Sequence, residues 1–443
     1  MTQMFPLLAA AAVGGGTVVG SLATVARRPL AGAVIISVAI AFVGVWVALP
    51  IGVYVPPATL ACLLVCLALA PAFSWRASSG DVLVAAAFWL VGLSVLVGSS
   101  VTLVLGDLVF GALPAYLAGR MLVERLGLTK VAEVIAVVWA AAAVLGLLEA
   151  VTGFNPFVLV PFPNSLYSEW AVTQERAGIA RVEGAFGHSI AYATCMAAGI
   201  PLVAVTRWSS RARCLMMVLL VAATLPSLSR TGMACAVLAL LLSLTVLRTG
   251  ISRRWRLRVI GLLAAIGVIA FPRLLDVFAL AGEEQAGSAR YRSDLLVLVR
   301  YLRFIGVSPA GRRNNTGSTW AGFGSVDDEL LRAALCYGWA PVVLLLVGFS
   351  VVCWRVLARR ANAAQTAVVA LAPAYVTVAF ITQLSTVVWL IIGMALSAEK
   401  AAHTMTRISQ EPTDEPQGDA GDQRDGAPRA PSGLPYARPL RGT

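Results

Sequence analysis

VAEVIAVVWAAAAVLGLLEAV, the stretch from Val131 to Val151, decides the fold class of this chain. Its residues are apolar apart from Glu133 and Glu149, which lie near its two ends. As an α-helix rising 1.5 Å per residue, the stretch would measure about 30 Å, which is the thickness of the hydrocarbon core of a bilayer. The stretch therefore predicts a transmembrane helix.

Stretches of the same kind recur along the chain and predict an all-α, polytopic membrane protein with about 12–13 transmembrane helices. Nine single spans are expected: Phe5 to Val25, Leu30 to Leu49, Val53 to Phe73, Val82 to Val97, Val101 to Ala118, Val131 to Val151, Ser189 to Thr206, Val259 to Phe271 and Trp339 to Val356. Two tracts, from Cys214 to Leu247 and from Thr366 to Ser397, are too long for one crossing and carry polar residues midway. Each predicts a helical hairpin with a polar tip. The sequence leaves open whether residues 5–25, which are Gly-rich and lack the basic start of a signal peptide, cross the bilayer.

The composition excludes a soluble globular protein. Hydrophobic residues make up 59% of the chain and charged residues 13%, whereas about 25% of residues are charged in soluble domains. The seven cysteines are scattered through apolar runs, without the spacing of a metal site or of a disulfide framework. We expect them to pack as small buried hydrophobic residues.

Membrane topology explains most of the net charge of +12. With Arg27 and Arg28 in the cytoplasm, alternation of the spans places 23 of the 34 Lys and Arg residues inside, as the positive-inside rule requires. We therefore expect a membrane domain over residues 1–402, with outer loops at about 152–188 and 272–337 that contain amphipathic helices. Residues 403–443, rich in Pro, Gly, Asp and Arg, are expected to form a disordered cytoplasmic tail.

The larger outer loop holds eight of the eleven basic residues that remain outside. From Ala289 to Ile305, apolar residues recur at helical spacing, and Arg292, Arg300 and Arg303 fall within about 80° of one another beside them. This pattern predicts an amphipathic helix on the membrane surface. Its arginines either contact lipid headgroups or bind an anionic, lipid-linked substrate, since guanidinium groups match phosphate oxygens.

Acidic residues stand at the end of the same loop, directly before an apolar run. In Ser325-Val326-Asp327-Asp328-Glu329, the spacing of Ser325 and Asp328 is that of a helix N-cap and its acidic third position. Asp327 and Asp328 are equally candidates for catalytic carboxylates at the outer membrane boundary. The sequence supports both interpretations.

Three other polar residues lie next to or inside apolar spans. His188, directly before the span at Ser189, is either a hydrogen-bonding residue or a proton acceptor at neutral pH. Arg230 and Asp107 are costly at membrane depth unless they are paired or face a cavity. We expect these two either to form an ion pair with each other or to line a substrate cavity.

Together these features resemble the O-antigen ligase and polymerase family of bacterial envelope glycan enzymes. The resemblance rests on the many spans, a large penultimate outer loop, Arg181-x-x-Gly184-x-Phe186 before a span, and Ser227-Leu228-Ser229-Arg230 at a hairpin tip. The large loop ends in Asp327-Asp328-Glu329-Leu330-Leu331 and is followed by Gly338. This arrangement is similar to the family's segment of His-Asn or Asp-Asn with a glycine eleven residues after its first member.

The resemblance implies an inverting glycosyltransferase, independent of metal and cofactor, in the bacterial cytoplasmic membrane with its active site facing outward. The donor would be a glycan on polyprenyl pyrophosphate, and the acceptor a hydroxyl of a glycan, glycolipid or glycoprotein. Membrane lipids would be further partners, and nucleic acid would not. The residues that would hold the donor pyrophosphate are Arg181, Arg230 and Arg290 or Arg292. The catalytic candidates are Asp327, Asp328 and His188, supported by Asp107, Glu183 and Gly338.

Other functions remain open at the level of the sequence. Asp327 stands where the ligases have histidine, and Asp328 where they have asparagine, which leaves a polymerase or a ligase for another envelope polymer possible. A polyprenyl-glycan flippase would also have many spans and a basic cavity. A polyprenyl-phosphate glycosyltransferase that depends on metal would use the two aspartates as ligands.

Overall fold

The computed structural model describes residues 17–50, 53–74, 77–280, 290–291, 293–314 and 317–408. Most of the predicted span at residues 5–25, as well as Arg292 and residues 409–443 of the predicted tail, lie outside the described residues.

The described chain is mainly helical with almost no sheet, which confirms the all-α part of the predicted class. Its helices are α1 (residues 17–27), α2 (Pro29–Phe42), α3 (Pro57–Leu69), α4 (Ser79–Leu93), α5 (Val101–Leu126), α6 (Leu128–Thr152), α7 (Ser165–Trp170), α8 (Ser189–Ala204), α9 (Ser210–Thr224), α10 (Arg230–Thr245), α11 (Arg253–Leu280), α12 (Glu329–Tyr337), α13 (Trp339–Leu357), α14 (Ala363–Ala370), α15 (Ala372–Tyr375) and α16 (Leu384–Ile408). Within the described residues, three short antiparallel strand pairs join Leu49–Pro50 to Tyr54–Val55, Glu175–Arg176 to Ile179–Ala180, and Gly311–Asn314 to Gly317–Trp320.

Among the residues that the structure describes, five helical segments are long and apolar enough to cross a membrane: Ser79–Val97, Val101–Leu126, Leu128–Thr152, Ser210–Ser227 and Trp339–Leu357. The same residues include four shorter apolar helices, Pro29–Phe42, Pro57–Ala72, Ser189–Ala204 and Arg230–Thr245. Both long tracts break where the sequence predicts polar tips. The first breaks at a 3-10 turn, Leu225–Ser227, and the second between α15 and α16.

Helix α8 forms the centre of the core, with every residue buried except Ile190. Helices α6, α9, α10 and α14 pack against it. Small residues allow the close approach: a Cβ on Gly232 of α10 would lie 2.3 Å from the Cβ of Ala193 on α8. Contacts of this kind are typical of helix packing in lipid, where dispersion between close backbones replaces the hydrophobic effect.

A buried ion pair joins the start of α4 to α5. Arg120, with no exposed surface, donates to Asp81 over 2.9 Å, and the Tyr116 hydroxyl donates to the same carboxylate. Asp81 also completes a capping box with Ser78 at the start of α4. One carboxylate therefore serves as a helix cap and as the partner of a buried cation, which satisfies the charge where water is excluded.

The amphipathic helix predicted for residues 289–305 is shorter than expected. Residues 290–291 and 293–295 are helical and are followed by a 3-10 helix, Leu296–Tyr301. Leu295 and Leu298 are buried, as their spacing predicts, and Arg300 lies 4.7 Å from the centroid of the Tyr301 ring.

Candidate functional site

Three residues predicted for the site lie in one cluster, called here the buried cluster, in which Arg181 and Glu183 are buried and His188 is half-buried. Arg181, Glu183 and His188 follow one another at the end of the loop between α6 and α8, and Glu149 near the end of α6 holds this segment in place. The Glu149 carboxylate accepts hydrogen bonds from the backbone N–H groups of Glu183 and Gly184, over 3.1 Å and 3.0 Å. Helix α6 thereby fixes the backbone that carries the cluster.

Arg181 is 8% exposed and lies beneath the turn between α9 and α10. Its Nε donates to the carbonyl of Ser227 over 2.9 Å, and its Nη1 donates to Oε1 of Gln174 over 3.3 Å. Among the described residues, Nη2 of this buried guanidinium has no hydrogen-bond partner. Burial, together with the nearby charge of Arg176, lowers the pKa of Arg181 to about 10. An unused donor on a buried cation is suited to an anion, because an unpaired buried charge is costly.

Glu183 is 1% exposed and accepts a hydrogen bond from the backbone N–H of Gln174 over 2.7 Å. Burial raises the pKa of Glu183 to about 7, with a further increase from Glu149 that the Gln174 hydrogen bond and Arg181 oppose. A carboxyl group with this pKa changes protonation near neutral pH, which suits a general acid or base.

His188 caps α8. Its Nδ1 accepts a hydrogen bond from the N–H of Ile190 over 3.1 Å, and its ring lies edge-on to Trp170. Burial, followed by the charge of Arg181, lowers the pKa of His188 to about 4. The imidazole is therefore neutral at pH 7, and one of its nitrogens is engaged in capping.

The remaining predicted arginines occupy different places. Arg230 is exposed in the first turn of α10. In the turn just before α10, the carbonyl of Leu228 accepts a hydrogen bond from Arg176 over 2.6 Å. Arg176, Arg181 and Arg230 thus surround the turn at Leu225–Ser229. Arg290 is exposed on the separate helical segment of the large loop.

A second polar cluster lies at α12, and we call it the acid–arginine triad: Asp107, Glu329 and Arg332. Arg332 donates to Asp107 over 2.9 Å and to both oxygens of Glu329 over 2.8 Å and 2.9 Å. Tyr337 also donates to Asp107 over 2.7 Å. The expected alternative of an Asp107–Arg230 ion pair is therefore wrong, because α12 brings Arg332 to Asp107 instead. Asp107 lies in a π-helical stretch, Leu105–Ala112, a distortion frequent at functional sites.

The neighbouring aspartates have local partners. Asp328, rather than Ser325, is the N-cap of α12 and accepts from the N–H of Leu331 over 2.9 Å, so the predicted cap is shifted by three residues. Burial raises the pKa of Asp328. Asp327 accepts from the Ser325 hydroxyl over 3.2 Å. Gly338 joins α12 to α13 with φ +96°, and a Cβ there would lie 2.5 Å from the carbonyl oxygen of Phe304.

Residues 377–383 form hydrogen bonds with a member of the acid–arginine triad and with residues close to the buried cluster. The N–H of Phe380 donates to Glu329 over 2.8 Å, and the Thr377 hydroxyl lies 3.0 Å from that of Thr231, next to Arg230. Gln383 donates over 3.5 Å to the carbonyl of Ala185, which lies two residues after Glu183 in the sequence. The break in the second long tract therefore lies between the buried cluster and the triad.

A cavity of about 640 Å³ extends away from the triad between α4, α5, α13 and α16. Its lining is mostly apolar, with the rings of Phe88 and Trp389 4.9 Å apart between centroids. The triad forms one end, and the ion pair of Arg355 with Glu399 forms the other. The cavity is thus an apolar chamber with charged groups at both ends.

Glu149, Glu329 and Arg332 were not among the predicted site residues. Glu149 had a usable signal, since an acid inside an apolar span is a candidate for function. Glu329 and Arg332 are spaced i,i+3, which predicts the ion pair between them. Their other partners, Asp107 of α5 and the N–H of Phe380, are distant in sequence, and no local pattern marks those. Within the described ranges, no group of three or more His, Cys, Asp or Glu residues could hold a metal ion.

Comparison with known proteins adds no relative, since no protein-family model, no curated protein and no solved structure matches the chain.

Proposed function

We propose that this chain is a multi-pass membrane glycosyltransferase that moves a glycan from a polyprenyl-pyrophosphate donor to an acceptor hydroxyl. The observation that carries the proposal is the buried cluster, in which an arginine with an unused donor nitrogen lies in the same segment as a glutamate of pKa about 7. We expect about 12–13 spans in the bacterial cytoplasmic membrane, with this cluster facing outward.

Arg181 is the central residue for binding the donor. Its Nη2 is free to donate to a phosphate oxygen while Nε and Nη1 keep the guanidinium plane fixed. Arg176 and Arg230 add positive charge around the same turn. Because a pyrophosphate leaving group gains negative charge as the sugar C1–O bond breaks, fixed cations in a poorly hydrated site stabilise the transition state.

Glu183 is the proton acceptor that the buried cluster supports best. The acceptor hydroxyl would attack C1 and give its proton to the carboxylate, while the C1–O electron pair leaves with the polyprenyl pyrophosphate. Direct displacement inverts the anomeric centre. His188 is a weaker base than Glu183, because its pKa of about 4 means a lower affinity for the proton. The catalytic role of Asp327 or Asp328 stays a prediction, to be tested beside Glu183.

Glycan transfer by reconstituted protein tests the proposal. Arg181→Lys removes the planar fork, so transfer should fall by about 10²-fold, the usual loss when one fixed donor to a developing anion is removed. Glu183→Gln should lower the rate of transfer, because the proton acceptor is lost, and should abolish the dependence of the remaining rate on pH near 7. A matched control is Arg213→Met, since Arg213 is also 8% exposed but donates to the carbonyls of Ala204 and Thr249.

Full transfer by both Arg181→Lys and Glu183→Gln, at normal protein levels, would show that the cluster has no catalytic role. Asp327→Asn and Asp328→Asn, measured in parallel, decide whether those carboxylates share it. Loss of transfer upon addition of a chelator would favour the metal-dependent alternative.

A transporter for the same lipid-linked glycan is the second candidate. The observation in its favour is the cavity between α4, α5, α13 and α16, which has ion pairs at both ends that could open in turn. Movement of labelled donor across vesicles without any change in its chemical structure would support transport over transfer.

A further inference from the structure

The apolar cavity has a length that suits a hydrocarbon chain. Its lining along α16 runs from Ser385 to Glu399. At 1.5 Å per residue this distance is about 21 Å, or roughly two thirds of the 30 Å hydrocarbon core of a bilayer. Helices α4 and α13 line the cavity over a similar length, from Ser79 to Val91 and from Pro341 to Arg355, with mostly apolar residues. Helix α5 lines only the end that carries Asp107.

The two ends of the cavity differ in charge. At one end, Arg355 and Glu399 form a neutral pair. At the other end, Arg332 is shared between Asp107 and Glu329, which gives the triad a formal charge of −1. The excess of one carboxylate favours a ligand that brings a cationic group, and it repels a ligand that is only anionic.

Two hydroxyl groups without partners lie at the lining as well. The Oγ1 atoms of Thr59 and Thr382 make no hydrogen bond among the residues that the structure describes, although Thr59 is 1% exposed. Thr382 also has φ +54°, a backbone conformation that is unfavourable for a β-branched residue. Buried hydroxyls of this kind are normally hydrogen-bonded, so both are available to the oxygens of a ligand.

We propose that this cavity binds one membrane phospholipid whose headgroup carries a primary amine. Its amine contacts Asp107 and Glu329, one phosphate oxygen accepts from Arg332, and the Thr59 and Thr382 hydroxyls donate to further headgroup or ester oxygens. A hydrocarbon chain occupies the apolar chamber. The site depends on the proposed membrane location but not on glycan transfer, so either proposal can fail without the other.

Native mass spectrometry of the delipidated full-length protein tests the site. Equal amounts of an aminophospholipid, a phosphatidylglycerol and a polyprenyl phosphate are offered together. We expect one bound aminophospholipid, preferred over phosphatidylglycerol by at least about fivefold. Asp107→Asn should reduce that preference about fivefold, which is about 1 kcal/mol at 1.4 kcal/mol per factor of ten.

A variant that fills the cavity separates this site from general lipid adhesion. A Cβ on Gly348, which lines the cavity, would meet only Leu83 Cδ1 at 3.9 Å, so Gly348→Phe places its ring in open space. The matched control is Gly261→Phe, because Gly261 has no atom within 4 Å of its Cβ position and does not line the cavity. Only Gly348→Phe should lose the lipid. The proposal is overturned if Gly348→Phe keeps it, or if phosphatidylglycerol or polyprenyl phosphate binds as well as the aminophospholipid.

Discussion

Replacing Glu183 with glutamine should remove a specific pH dependence of stability. Burial raises the pKa of Glu183 from the ordinary 4.5 to about 7. Between these values the folded protein holds a proton that the unfolded chain releases, so stability falls as the pH rises. The contribution is fully present below pH 4.5 and is lost as the pH passes through about 7.

The magnitude follows from the difference between the two pKa values. At about 1.4 kcal/mol for each factor of ten in proton affinity, the rise from 4.5 to about 7 corresponds to about 3 kcal/mol. Glutamine has no proton to lose, so Glu183→Gln should be the more stable protein at alkaline pH. The two proteins should differ much less at acidic pH, where Glu183 is also neutral.

Thermal unfolding in detergent, from about pH 5 to about pH 8, measures this difference. Glu169→Gln is the control, since Glu169 is exposed in the same loop. The infrared band of a protonated carboxyl group near pH 6 should disappear in Glu183→Gln. Parallel loss of stability with pH in wild type and Glu183→Gln, together with an unchanged infrared band, would refute the reasoning.

Three further changes test the packing. Gly338→Ala should destabilise the protein by about 1–3 kcal/mol, because alanine disfavours φ +96° and its Cβ would clash with a carbonyl oxygen; an unchanged melting temperature would contradict this. Asp81→Asn should cost about 3–5 kcal/mol by leaving Arg120 buried without its anion, seen as reduced yield of folded protein in detergent. Gly393→Ala should push α5 and α16 apart and lower the melting temperature, since the new Cβ would lie 2.1 Å from a carbonyl oxygen of α5. Gly261→Ala is the control, because Gly261 has no atom within 4 Å of its Cβ position, and equal melting temperatures of the two variants would contradict the prediction.

The helical class was predictable because apolar runs are a local property of the sequence. The span predicted at Val131–Val151 appears as α6 with nearly the same bounds, and Trp339–Val356 appears as α13. Where polar residues interrupt a long tract, as at Ser227 to Arg230, the helix ends, since local hydrogen bonds and a left-handed Leu228 compete with the helical ladder.

The helix cap at α12 shows the limit of local patterns. Ser325 and Asp328 both have the chemistry of an N-cap, and sequence spacing favoured Ser325. In the structure, Ser325 instead exchanges hydrogen bonds with the hydroxyl of Tyr291, while Asp328 begins the helix. The predicted cap, Ser325, is thus engaged by a residue 34 positions away in the sequence, which local spacing does not reveal.

By itself, the sequence determined that the chain is helical and apolar, where its long tracts break, and which segment carries Arg181, Glu183 and His188. The tertiary structure alone decided which charges meet. Asp107 pairs with Arg332, which is 225 residues away, and Arg181 lies under the turn at Ser227. The reason is physical: hydrophobicity and helix formation depend on neighbours along the chain, whereas a buried charge takes whichever partner the packing of helices brings within hydrogen-bond distance.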